Sequence, residues 1–131
     1  MEKTILVNLN VSNDSNFEAD SGYVFQKLLW TYMCEQRRNV QVLFLGHRLN
    51  TEKWHPSVTM VPFHDKYDKF STRFNFDWHG LRNRFENLPQ VDLIFNNQPE
   101  STLNLKMLFS SMYGKEVPAV SYYPYLPFHY G

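Results

Sequence analysis

The residues best suited to chemistry fall where predicted strands end. Asn8 and Asn10 close the first apolar run, Asn97 and Gln98 follow the fourth, and Glu100 stands just beyond them. Neutral amides both donate and accept hydrogen bonds, so this set suits a ligand that carries hydroxyl groups. The same side chains also cap loops and form turns, and that reading stands beside the first. Glu100 and His129 supply a carboxylate and an imidazole able to take a proton. A carboxylate in a helix's first turn is equally favoured by the helix dipole. Tyr122, Tyr123 and Tyr125 offer ring faces for stacking or packing.

Other chemistries lack their motifs. There is no Gly-x-Gly-x-x-Gly after the first strand, no Walker-type Gly-x-x-x-x-Gly-Lys-Ser/Thr and no Gly-x-Ser-x-Gly nucleophile elbow. His47, His55 and His64 lack the spacing of metal ligands and are expected as loop or surface residues. Formal net charge is zero, so nothing marks the chain for nucleic acid or an anionic membrane. The basic stretch from Arg73 to Arg84 is interrupted by Asp77 and reads as a solvated helix face. Cys34 is the one cysteine, so no disulfide can form within the chain; it is expected buried or half-buried. No apolar run approaches a membrane span, and Met-Glu-Lys before a short strand is not a signal peptide, so a cytoplasmic setting is expected.

The elements that must position these residues alternate. Apolar runs at 4–9, 40–45, 58–63, 91–95 and 117–122 predict five strands. Pro62 places the third at an edge or exit. A first helix follows a cap at Asp20 or Ser21, with Val24, Phe25, Leu28, Leu29, Tyr32 and Met33 as its apolar stripe. Phe74, Trp78, Leu81, Phe85 and Leu88 give a second helical face, weakened at Gly80. Pro99 opens a third helix carrying Leu105, Leu108, Phe109 and Met112, and Gly114 stops it. This alternation predicts an α/β, three-layer Rossmann-like domain, with a mostly parallel sheet of about five strands and helices on both faces. Its length of 131 residues fits one domain. Ligands in such sheets bind outside the carboxyl ends of the strands, near the switch in strand order. The working rim is then residues 8–22, 46–55, 64–72, 96–101 and 122–131.

Taken in order, these segments resemble the N-terminal lobe of GT-B-fold glycosyltransferases. The likeness runs through Ile5-Leu-Val-Asn-Leu-Asn10, Ser21-Gly22 before Tyr23, and Arg37 to His47. It continues in Val91-Asp-Leu-Ile-Phe-Asn-Asn-Gln-Pro-Glu100 and Val117-Pro-Ala-Val-Ser-Tyr-Tyr123, and covers essentially the whole chain. It departs from the family pattern in having one glycine near Ser21, Asn96 in place of a strand-four histidine, and Tyr123-Pro124 where a histidine often follows strand five. The resemblance implies metal-independent transfer of a sugar from a nucleotide sugar to an acceptor, with no cofactor. It implies substrate contacts from Asn10, Ser21, Gly22, Asn97, Gln98 and Tyr123, and catalytic roles for Glu100 and His129. It also implies that this is the N-terminal, acceptor-side lobe, incomplete without a C-terminal donor-binding lobe or partner chain. The alternatives are a non-catalytic Rossmann-like interaction module and a nucleotide-binding subunit that works with a separate chain.

Overall fold

The computed structural model describes residues 2–9, 18, 20–64 and 77–122. Asn10, Phe74, Tyr123, Tyr125 and His129 lie outside the described residues. The elements are β1 (Lys3–Asn8), α1 (Ser21–Gln36), β2 (Val40–His47), β3 (Val58–His64), α2 (Trp78–Phe85), β4 (Leu93–Asn96), a 3-10 turn (Pro99–Ser101), α3 (Thr102–Tyr113) and β5 (Ala119–Ser121). The five strands form one parallel sheet in the order β3-β2-β1-β4-β5. The expected three-layer α/β fold is therefore present. β1 is central, and the order reverses between β1 and β4.

Two cores fill the layers. Ile5, Val7, Val42, Phe44 and Val58 pack beneath α1, and Leu6, Leu43, Leu45, Val61 and Ile94 pack beneath α2 and α3. This follows from the pleat, which sends alternate side chains to opposite faces of strands covered on both sides. Pro62 sits on β3, an edge strand, where its missing N–H costs no ladder bond. Gly46 is needed because a Cβ there would lie 2.5 Å from the Phe44 ring.

α1 presents a different face from the one expected. The residues turned to the sheet are Tyr23, Gln26, Trp30 and Cys34, with Leu29 and Met33 half-buried beside them. Val24, Phe25, Leu28 and Tyr32 are exposed, Leu28 by 66% and Tyr32 by 58%. The two sets lie on nearly opposite sides of the helix, roughly 160° apart at 100° per residue. Both are largely apolar, so periodicity does not choose between them. The buried set includes polar groups that find partners: Trp30 Nε1 donates to Gln26 Oε1 at 2.7 Å. Phe25 stacks on Tyr122, the residue after β5, with ring centroids 5.9 Å apart.

Smaller corrections concern element ends. α2 is shorter than the apolar spacing implied, because Asp77 caps it by accepting from Gly80 N–H at 2.9 Å. The Asp77 carboxylate lies where a Cβ on residue 80 would fall, so glycine there serves the cap. Arg82 and Arg84 are exposed, as a solvated face requires. α3 buries Leu105 and Phe109 and ends at Gly114 in the left-handed region, φ 67°. His47 and His64 are strand residues, only 2% and 3% exposed, not loop or surface residues. They are paired in register across a β-bulge at Gly46/His47.

Candidate functional site at the strand-order switch

The carboxyl ends of β1 and β4 lie side by side at the reversal of strand order, with Asn8 in register with Asn96. Asn96, fully buried, is the hub. Its Oδ1 accepts from the Gln98 backbone N–H at 3.1 Å. Its Nδ2 donates to the Gln98 carbonyl at 2.6 Å, Thr102 Oγ1 at 2.8 Å and Ser101 Oγ at 3.1 Å. Thr102 Oγ1 in turn meets Ser121 Oγ at 2.7 Å, at the end of β5. Asn8 Nδ2 donates to Asn96 Oδ1 at 2.8 Å and to Gln98 Oε1 at 3.3 Å. Asn97 Nδ2 donates to the Asn8 carbonyl at 3.0 Å. His64 Nε2 lies 2.6 Å from Asn8 Oδ1. One polar network thus ties together the exits of β3, β1, β4 and β5.

Burial and the neighbouring His47 push the His64 pKa down to about 3, so the imidazole is neutral throughout the ordinary pH range. The network carries no formal charge. Its amide and hydroxyl groups both donate and accept, which suits neutral hydroxyl-bearing ligands better than phosphates.

A second cluster occupies the rim beside β2 and the start of α1. Tyr23 Oη donates to Glu52 Oε1 at 3.0 Å, lies 3.3 Å from Asn50 Oδ1, and accepts from Trp54 Nε1 at 3.2 Å. Glu52 also pairs with Lys27 at 2.9 Å. The hydrogen bond from Lys27 is the main influence holding the Glu52 carboxyl below its usual range. Burial, reinforced by Glu52, pushes the Tyr23 phenol up to about 12. Asn50 Nδ2 is buried without a hydrogen-bond partner among the described residues.

The sequence-derived candidates divide accordingly. Asn97 and Gln98 come together with Asn8. Ser21 and Gly22 begin α1, whose N-terminus is already served by its own aspartate: Asp20 Oδ1 accepts from Tyr23 N–H at 3.1 Å. A carboxylate there occupies the position an incoming phosphate would use. Glu100 is exposed on the 3-10 turn. His64, Ser101, Thr102 and Ser121 are network members that sequence reasoning missed. The available signal was a polar residue closing an apolar run, as in Val-Pro-Phe-His64 and Ala-Val-Ser121.

Elsewhere, a cavity of about 210 Å³ opens between the ends of α2 and α3, lined by Arg82, Glu86, Met112 and Tyr113 among others. It lies at the amino end of the sheet, away from the network, and Tyr113 Oη there accepts from Val91 N–H at 3.1 Å. Among the described residues, no group of three or more His, Cys, Asp or Glu converges as a metal site. No helix among them is long and apolar enough to cross a membrane.

No protein-family model matches the chain, and no curated protein matches it. Among solved structures, the chain is similar to the C-terminal domain of a hydrogenase from Pyrococcus furiosus. Identity is 18%, coverage is 93% of this chain and 94% of that one, and the TM-score is 0.48. A likeness of that size carries no functional argument.

Proposed function

We propose that this chain acts as the acceptor-side lobe of a GT-B-like glycosyltransferase, holding the molecule whose hydroxyl group receives a sugar from a nucleotide-sugar donor. The observation that carries the proposal is the uncharged amide cluster of Asn8, Asn96, Asn97 and Gln98 at the reversal of strand order. That is where open α/β sheets take ligands. The order of strand-end motifs, which resembles this transferase lobe along the chain, supports the same reading. Asp20 makes the start of α1 a poor phosphate site, so in this proposal the donor is held chiefly by a second lobe or partner chain. Calorimetric titration with methyl glycosides and with nucleotide sugars tests it. The expected result is weak glycoside binding that Asn97→Ala reduces, with little binding of nucleotide sugars. Absence of binding by every glycoside tried would sink the proposal.

A second reading, a non-catalytic interaction module, rests on the exposed apolar face of α1. Association in sedimentation experiments that Leu28→Glu abolishes, in a protein that binds no glycoside, would favour it.

A further inference from the structure

The cavity between the ends of α2 and α3 is apolar within and charged at its mouth. Phe85, Leu88 and Met112 line it, and Phe85 is only 1% exposed. The Phe85 ring meets Phe109 edge to face, with centroids 5.0 Å apart, and Phe109 lies 6.0 Å from Tyr113. The Tyr113 hydroxyl accepts from Val91 N–H at 3.1 Å, which ties that wall to the chain entering β4. The apolar part is thus set before any ligand arrives, so little ordering entropy is lost on binding.

Arg82 and Glu86 line the same cavity, and both are exposed. They stand four residues apart on one helical path, which Glu86 continues at φ −60° and ψ −35°. Side chains at that spacing are neighbours, yet among the described residues neither forms an ion pair. Arginine placed before glutamate is the poorer order for such a pair. A simple carboxylate entering here meets Glu86, and a simple amine meets Arg82. A zwitterion satisfies both. The carbonyl end of α2 adds negative potential beside Glu86, which favours an ammonium group on that side. The volume of about 210 Å³ is below the ~300 Å³ at which pockets begin to take drug-sized ligands, so the occupant is small.

We propose that this cavity binds a free α-amino acid with an apolar side chain: Arg82 takes the carboxylate, Glu86 takes the ammonium group, and Phe85, Leu88 and Met112 receive the side chain. The inference is independent of the acceptor-lobe reading, because the cavity lies at the amino end of the sheet. Burial of the side chain supplies most of the affinity. The two exposed charges supply less, and select the zwitterion over its neutralised derivatives.

Titration of the whole chain with leucine, followed by NMR, tests it. Leucine should move the signals of Arg82, Leu88 and Met112. Leucinamide lacks the carboxylate and N-acetylleucine lacks the ammonium group. Each should bind about fivefold more weakly than leucine, the upper end for one exposed ion pair. Glycine, with no side chain to bury, should bind more weakly by over about tenfold. Arg82→Gln should weaken leucine about fivefold without weakening leucinamide, and Glu86→Gln should weaken leucine without weakening N-acetylleucine. Both positions are exposed, so the melting temperature should hold in each variant. Equal binding of leucine and its two derivatives overturns the inference. So does the absence of leucine binding, or a response confined to the rim around Asn96.

Discussion

The two halves of the rim solve the same problem in opposite ways. Around Asn96, buried polar atoms are neutral and bonded to one another across four strand ends. Around Tyr23, a phenol, an indole and an ammonium group converge on one carboxylate that is substantially exposed, and Asn50 Nδ2 has no hydrogen-bond partner among the described residues. Buried neutral groups must be satisfied internally, because water cannot relieve them. Charged groups near the surface can leave part of the work to solvent, and contribute correspondingly little. The first half is therefore expected to be the more sensitive to substitution and the second the less.

The contrast is broken most directly at Asn96. Asn96→Leu strands the Gln98 backbone N–H and removes the donor to Thr102 Oγ1 and the nearer acceptor of Asn8 Nδ2, although the Gln98 carbonyl keeps Ser101 N–H and Oγ and Asn8 Nδ2 keeps Gln98 Oε1. It should cost about 2 kcal/mol, within the range for one stranded buried group with weakened neighbours. Urea denaturation measures it, and a loss below about 1 kcal/mol would remove the distinction between the two halves. A smaller effect is expected from His64→Gln, read as a function of pH. The folded state keeps His64 neutral while the unfolded chain takes up a proton near its ordinary value of 6.5, so stability from this group is present above pH 6.5 and falls as the solution is acidified towards 3. Between pH 6.5 and 5 the native protein should lose up to ~1.4 kcal/mol per pH unit from this source. The glutamine variant should lack that slope in denaturation curves collected across the interval. In the other half, Tyr23→Phe leaves Trp54 Nε1 bonded to Glu52, and should cost only about 1 kcal/mol. A loss matching that of Asn96→Leu would show the second cluster to be equally rigid. Leu28→Glu, on the exposed face of α1, should change stability by less than ~0.5 kcal/mol, which a thermal melt would register as nearly no shift.

Strand positions and the α/β class were legible in the sequence because apolar runs and helical spacing are local signals. So were the caps: Asp20, Pro99 and Gly114 each sit where their backbone chemistry requires. The face of α1 was not legible, because two apolar sets share its helical spacing. His47 and His64 were misread for a related reason: histidine at the end of an apolar run borders a loop in sequence, while in the fold the two pair across neighbouring strands beside the bulge at Gly46/His47 and both are buried. Asn8, Asn97 and Gln98 could be picked out as strand-end amides. Asn96 reads in sequence only as a replacement for a family histidine. Its part as hub depends on register with Asn8, and pairing between strands so far apart in sequence has no local signature.

That separation shapes how the protein folds. The bond between Asn8 and Asn96 spans 88 residues. Contacts of such range carry a large loop-closure entropy and form slowly relative to local ones. The pairing of β1 with β2 closes a much shorter loop, so the β1–β4 junction is expected to form when β4 docks against an already ordered β1. A ligand seated there engages a structure completed late in folding, and its stabilisation should register as slower unfolding, with the folding rate left nearly unchanged.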